Sequence, residues 1–124
     1  MTGPREQFLD DVRRYIDAGD RLAAGIAEFT TMNREGLADL ECGMAITESF
    51  ERRDSAGWSR RVSSLIDEFE ACRRATRSSA AAALLEEGRT VTDVGRAFGV
   101  SHQLASRFVK GAHPDGPAHA QGDR

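Results

Sequence analysis

The chain has 124 residues, of which 40% are hydrophobic, and a formal net charge of −3. This length fits one ordinary domain or two very small ones, and no apolar stretch approaches the roughly 18 residues that a membrane span needs. Proline is scarce, and β-branched runs with period-two alternation are missing. The composition therefore predicts an all-α, soluble protein of the cytoplasm.

The cysteines, histidines and serines give no sign of a reactive or metal-binding site. Cys42 and Cys72 are 30 residues apart, which excludes a CxxC metal signature. None of the three histidines, His102, His113 and His119, has a ligand-like spacing to either cysteine. No glycine-rich loop is suited to holding a phosphate, and no serine has a His and Asp constellation near it. We therefore expect no metal, no cofactor and no enzymatic activity.

The first predicted helix begins at Pro4, whose missing N–H costs nothing at a first helical position. Apolar residues follow at spacings of four and three, with Gly19 in the one remaining position: Phe8, Val12, Tyr15, Leu22, Ile26 and Phe29. A heptad pattern over about three repeats is typical of coiled coils and helical bundles. We expect this seam to serve both a core within the chain and the contact of a homodimer.

Further predicted helices follow, separated by residues that weaken the periodic pattern. Residues 30–33 interrupt the first helix, so a second is expected over 33–53 and a third over 58–76. Ser78 and Ser79 predict a kink or short loop before a fourth helix that ends at Gly88. Residues 1–76 are thus predicted to form a three-helix, coiled-coil-like dimerisation region.

Residues 90–110 predict two short helices joined by a tight turn. Thr90 and Asp93 have the spacing of a capping box, in which two side chains satisfy N–H groups at a helix start. Gly99 can end the first helix in the left-handed conformation, and Ser101 can cap the second. The apolar residues of the two helices recur at helical spacing: Val91, Val94, Phe98, Leu104, Ala105, Phe108 and Val109.

This segment resembles the helix-turn-helix of bacterial transcription regulators, and also the DNA-binding ends of resolvase and invertase recombinases. The matching positions are Gly95, Gly99, Val100, Ala105 and Phe108. The resemblance implies that residues 77–111 form a three-helix DNA-binding domain, and that the protein is a sequence-specific regulator of transcription. In such motifs the second helix lies in the major groove of double-stranded DNA.

The outer face of the second motif helix supplies the candidate DNA-binding residues. These are Ser101, His102, Gln103, Ser106, Arg107 and Lys110, and no Asp or Glu interrupts them. Gln103 can pair with adenine and Arg107 with guanine, while Lys110 suits a phosphate oxygen. Thr90 and Thr92 begin the first motif helix, where free N–H groups can also meet a phosphate.

The charge distribution bears on affinity. Residues 1–76 hold 11 Arg against 15 Asp and Glu, whereas residues 77–113 hold five Arg and Lys against three acidic residues. A local excess of two charges is small, so we expect two copies to bind together, which raises affinity through effective concentration. A symmetric pair would read a pseudo-palindrome with half-sites about 34 Å apart.

Two other functions and one structural expectation complete the sequence-based hypotheses. The chain could be a protein-interaction adaptor whose helix-turn-helix is purely structural. It could also be a ligand-responsive repressor with a pocket lined by Tyr15, Met44 and Trp58. Residues 112–124 carry Pro, Gly and His without apolar periodicity and are predicted to form a disordered tail.

Overall fold

The structure is a computed structural model that describes residues 3–111. Five helices account for these residues: α1 (Pro4–Glu41), α2 (Ile46–Arg52), α3 (Ser55–Glu86), α4 (Val91–Phe98) and α5 (His102–Gly111). The prediction of an all-α fold is therefore confirmed for the described residues. The predicted tail at 112–124 lies outside them.

Helix α1 is longer than the sequence predicted, and the expected break at residues 30–33 is wrong. Thr and Asn inside a helix each cost only about 0.5 kcal/mol relative to Ala, which contacts further along the helix can offset. A Cβ added at Gly36 would lie 3.3 Å from the Arg53 side chain. Arg53 also forms ion pairs with Glu35 and Asp39 of α1. These contacts stabilise the helix beyond the weak helix formers at residues 30–33. Because α1 continues to Glu41 and α2 begins only at Ile46, residues 33–53 are not one helix.

The true end of α1 is set by Gly43. Its φ is +103°, and the Met44 N–H donates to the Asp39 carbonyl at 3.0 Å. This is the Schellman arrangement, in which a left-handed residue lets the chain satisfy the last helical carbonyls. The same arrangement closes α3 at Gly88, as the sequence predicted, with Arg89 N–H donating to the Leu84 carbonyl at 3.0 Å.

Helix α3 runs without interruption through Ser78 and Ser79, so the short loop that was one of the two expectations there is wrong. The Thr76 hydroxyl donates to the Cys72 carbonyl at 2.7 Å, and the Ser79 hydroxyl donates to the Thr76 carbonyl at 3.2 Å. Hydroxyls that bond back to a carbonyl of their own helix are satisfied without ending it. The predicted third and fourth helices are consequently one helix, and the expected boundary at 76/77 falls inside it.

The chain forms two compact units to which α1 and α3 both contribute. One unit consists of residues 16–70; the other combines the described residues up to Tyr15 with those from Ala71 onward. We call them the acidic unit and the basic unit. The acidic unit has 6 Arg against 12 Asp and Glu, a net charge of −6, and the described part of the basic unit has 10 Arg and Lys against 6, a net charge of +4.

Within the acidic unit, α1 and α3 pack closely along part of the predicted heptad seam. A Cβ added at Gly19 would lie 3.6 Å from the Phe69 ring, and one at Gly25 would overlap Leu65. Arg21 of α1 forms an ion pair with Glu68 of α3. Leu22 and Phe29 are half-buried, whereas Ile26 is exposed. The seam therefore contributes to a contact within the chain, and its use in a dimer stays a prediction.

None of the described helices combines the length and the apolar character needed to cross a lipid bilayer.

Candidate nucleic-acid interface

Helix α4 begins with the capping box that the sequence predicted. The Thr90 N–H donates to Asp93 Oδ2 at 3.0 Å, and the Asp93 N–H donates to Thr90 Oγ1 at 3.2 Å. The hydrogen bond from the Thr90 backbone, with that from its side chain next, holds the pKa of Asp93 below its ordinary value of 3.8. Arg89 and Arg96 lower the pKa further through their charge. The start of α4 is thus fixed by reciprocal hydrogen bonds.

The turn between α4 and α5 is built as the sequence indicated. Gly99 is left-handed with a φ of +67°, and the Val100 N–H donates to the Gly95 carbonyl at 2.9 Å. Ser101 caps α5, because its Oγ accepts a hydrogen bond from the Leu104 N–H at 3.2 Å. Only residues 99–101 lie between the two helices, and the N–H groups of Gly99 and Val100 both bond to carbonyls of α4, which gives α5 a defined direction relative to α4.

A small apolar core holds α5 in place. Ala81 of α3, Val94 of α4 and Ala105 and Phe108 of α5 are buried together. The rings of Phe98 and Phe108 pack edge to face with their centroids 5.4 Å apart, a favourable arrangement for aromatic pairs. Further apolar side chains pack around this core: Leu84, Val91, Val100, Leu104 and Val109.

The face of α5 opposite this core carries most of the predicted DNA-binding residues. Those fully at the surface are Ser101, His102, Gln103, Arg107 and Lys110. Ser106 is half-buried, so it offers less of its side chain than the others. No Asp or Glu occurs between residues 101 and 111. The structure thus brings Gln103, Arg107 and Lys110 onto one exposed face of α5, with His102 beside it, while Ser101 precedes the helix as its cap.

The two candidates on α4 are also exposed. Thr90 precedes the helix and Thr92 lies in its first turn. The Thr90 oxygen already accepts the Asp93 N–H. The Asp93 carboxylate beside it has a lowered pKa and stays charged near neutral pH. A phosphate at this helix start would meet that negative charge, which favours α5 over α4 as the main contact.

Arg77 of α3 supports the base of α5. Its guanidinium lies over the Phe108 ring, 4.9 Å from the centroid, within the range of a cation–π interaction. Its Nε and Nη2 atoms are buried and have no hydrogen-bond partner in the described part of the chain. Arg77 therefore packs against the core that holds α5, a role that its position in the sequence does not reveal.

Sequence reasoning also missed basic residues that are distant in the chain. Arg5, Arg13 and Arg14 of α1 and Arg73 and Arg74 of α3 belong to the same compact unit as α4 and α5. Offset in part by Glu6, Asp10 and Asp11, they raise its charge from the +2 expected for residues 77–113 to +4 for the described residues. Arg13 and Arg14 are paired with Asp10 and Asp11. The sequence would have revealed this grouping only through a prediction that α1 packs against α3.

Compared with protein-family models, curated proteins and solved structures, the chain shows no significant match. Residues 3–111 contain no group of three or more His, Cys, Asp or Glu side chains arranged to hold a metal ion.

The capping box makes the stability of α4 depend on pH. Because the pKa of Asp93 is lower in the folded chain, the unfolded chain binds more protons below pH 3.8, and stability falls as the pH drops through the folded pKa. We expect the urea midpoint to decline between about pH 5 and pH 2 more steeply in the natural protein than in Asp93→Asn. Equal slopes for the two proteins would contradict this role of Asp93.

Proposed function

We propose that the protein binds double-stranded DNA sequence-specifically and regulates transcription, with α5 lying in the major groove. The observation that carries the proposal is the exposed face of α5, which has no carboxylate and belongs to a unit of net charge +4. Its backbone is fixed by the Gly99 turn, the Ser101 cap and the core around Phe108. A rigid helix with polar side chains pointing outward is the form in which base edges are read.

Each side chain on this face has a specific role in the proposal. Gln103 and Arg107 lie four residues apart, about one helical turn, so both can reach into the same groove. The Gln103 amide can form two hydrogen bonds with adenine, and the Arg107 guanidinium two with guanine. Lys110, Ser101 and His102 meet phosphate oxygens, which position the helix without reading sequence. Ser106 is half-buried, and its short side chain contacts a base edge.

The separation of charge supports this assignment. DNA attracts the unit that carries positive charge, and most of the acidic excess belongs to residues 16–70. An excess of four charges gives a modest electrostatic contribution, so one copy should bind weakly at physiological salt. We therefore propose that a homodimer binds a pseudo-palindromic site, because the second head then acts at a high effective concentration.

Selection of bound sequences from a random duplex library, followed by fluorescence anisotropy on the selected duplex, tests the proposal. We expect an enriched palindromic sequence and an affinity that falls with salt, with a log–log slope of about −3 or steeper for three or more phosphate contacts. A shuffled duplex of the same composition is the matched control. A library without enrichment, combined with binding that ignores salt, would instead favour an adaptor with a structural helix pair.

A further inference from the structure

The acidic unit has a large amount of apolar surface in contact with solvent. Among residues 3–111, six large apolar side chains are exposed, by between 43% for Ile66 and 65% for Ile46, and all of them lie within residues 16–70: Ile16, Ile26, Leu37, Ile46, Phe50 and Ile66. Exposed apolar residues scattered singly are ordinary, whereas a contiguous group marks an interaction surface. Their arrangement on the helices decides between these cases.

Three of the six form one stripe along α1. At about 100° per residue, Ile16, Ile26 and Leu37 fall within a sector of roughly 80°. The other positions in this sector between residues 16 and 37 are Ala23, Thr30 and Arg34, the last at its edge, together with Gly19, which lies close to the Phe69 ring of α3. The stripe lies beside the buried face of α1, which contains Ala18, Gly25 and Gly36.

The exposed Ile66 of α3 lies on the same side of the helix pair as this stripe. The Arg21–Glu68 ion pair marks one side of the contact between α1 and α3. At helical spacing, Ile26 and Arg21 lie on opposite sides of the buried face of α1. On α3, Ile66 and Glu68 likewise lie on opposite sides of the face that contains Leu65 and Phe69. Both isoleucines therefore face away from the ion pair, in the same direction.

We infer that this stripe is the homodimer interface, and that the two α1 helices pair in antiparallel orientation about a two-fold axis near residues 26 and 27. The inference rests on the proposed homodimer and assigns the surface through which the two copies pair. The midpoint between Ile16 and Leu37 is at residues 26 and 27, so the two-fold axis places each Ile16 on the partner's Leu37. Ile26 then packs beside its own copy at the axis, as self-complementary contacts require.

The exposed charges beside the stripe select this orientation. Asp20 and Arg34 flank it at nearly equal distances from residues 26 and 27. In the antiparallel pair Asp20 therefore lies opposite the partner's Arg34, and the contact occurs twice. In a parallel pair the two-fold axis runs along the helices and places the partner's copies of these residues on the other side of the interface, so the Asp20–Arg34 contact cannot form. Opposite charges across an interface fix its register and orientation.

The surface approaches the size that a stable protein interface needs. Residues 16–37 span about 32 Å of helix, and the face across α1 and α3 is about 20 Å wide, which gives roughly 640 Å² in projection. Stable complexes bury about 800 Å² of accessible surface per partner. Leu37 and Phe50 line the same cavity, so Phe50 extends the apolar area at one end of the stripe.

Sedimentation of the full chain, without DNA, tests the interface. The natural protein is expected at twice the 13.5 kDa monomer mass. Ile26→Glu places two carboxylates at the axis and should weaken self-association by about 30-fold or more. Ala24→Glu adds the same side chain on an exposed position of α1 outside the stripe, and should remain dimeric. Circular dichroism checks that both variants stay helical.

A charge exchange tests the orientation. Asp20→Arg should weaken the antiparallel dimer by about fivefold, since both symmetric pairs become repulsive, and adding Arg34→Asp should restore it. In a parallel dimer Asp20→Arg would change little. A monomeric natural protein, or a dimer that Ile26→Glu leaves intact, would overturn the inference. If the natural protein were a monomer that still selects a DNA sequence, the inferred interface would be wrong and the proposed DNA binding would stand.

Discussion

Replacing Arg107 by alanine is expected to weaken specific DNA binding by about 1–3 kcal/mol, or about 5- to 150-fold. Arg107 is exposed on the face of α5 that carries no carboxylate. A guanidinium that donates two hydrogen bonds to one guanine is geometrically matched to that base, so its loss also relaxes selectivity there. The measurement is anisotropy titration of the selected duplex and of a duplex changed at single positions.

Two variants separate base reading from general charge. Arg60→Ala removes the same charge from an exposed position of the acidic unit and should leave affinity unchanged. Lys110→Ala should weaken binding to all duplexes alike and reduce the salt slope by about one, as loss of a phosphate contact does. Unchanged affinity and selectivity in a folded Arg107→Ala variant would remove this residue from the interface.

Gly95→Leu is expected to destabilise the unit formed by α4 and α5 by about 1–3 kcal/mol or more. Gly95 is buried, and a Cβ there would lie 3.2 Å from the Val100 carbonyl oxygen and 3.3 Å from the Ala105 Cβ. The first of these neighbours is backbone held by the Gly99 turn, so it cannot move aside as a side-chain end could. The added leucine carbons therefore push α5 away from α4.

Hydrogen exchange of amides 91–111 is the direct measurement, since it reports opening of this region separately from the rest of the chain. Protection is expected to fall in Gly95→Leu. Ala97→Leu, which adds the same side chain on an exposed position of α4, is the matched control and should keep its protection. If both variants exchanged like the natural protein, the close approach of the two helices at Gly95 would be wrong.

The local features of residues 90–111 could be predicted from the sequence because each depends on neighbours in the chain. The capping box needs Thr90 and Asp93 three residues apart, and the turn needs Gly99 where φ is positive. The apolar spacing then identified the core around Val94 and Phe108. Such signals combine hydrogen bonding and side-chain periodicity over a few residues, which a single sequence contains in full.

The helix boundaries elsewhere were harder to predict from the sequence, because weak helix formers do not by themselves end a helix. Residues 30–33 stay helical with Gly36 packed near Arg53, and Thr76 and Ser79 stay helical by bonding to their own backbone. Gly43, by contrast, ends α1 with a positive φ, and a glycine after a long amphipathic stretch was a usable signal. Tertiary contacts outweigh propensities of a few tenths of a kcal/mol per residue.

The sequence by itself determined the all-α class, the two short helices and the polar residues available on the second of them. Only the tertiary structure decided which distant residues share a surface. It grouped the arginines of α1 and α3 with α5 in one unit of net charge +4, and left Ile16, Ile26 and Leu37 exposed in the other. The physical reason is that electrostatic and apolar surfaces depend on through-space distance, which helix pairing sets and chain order does not.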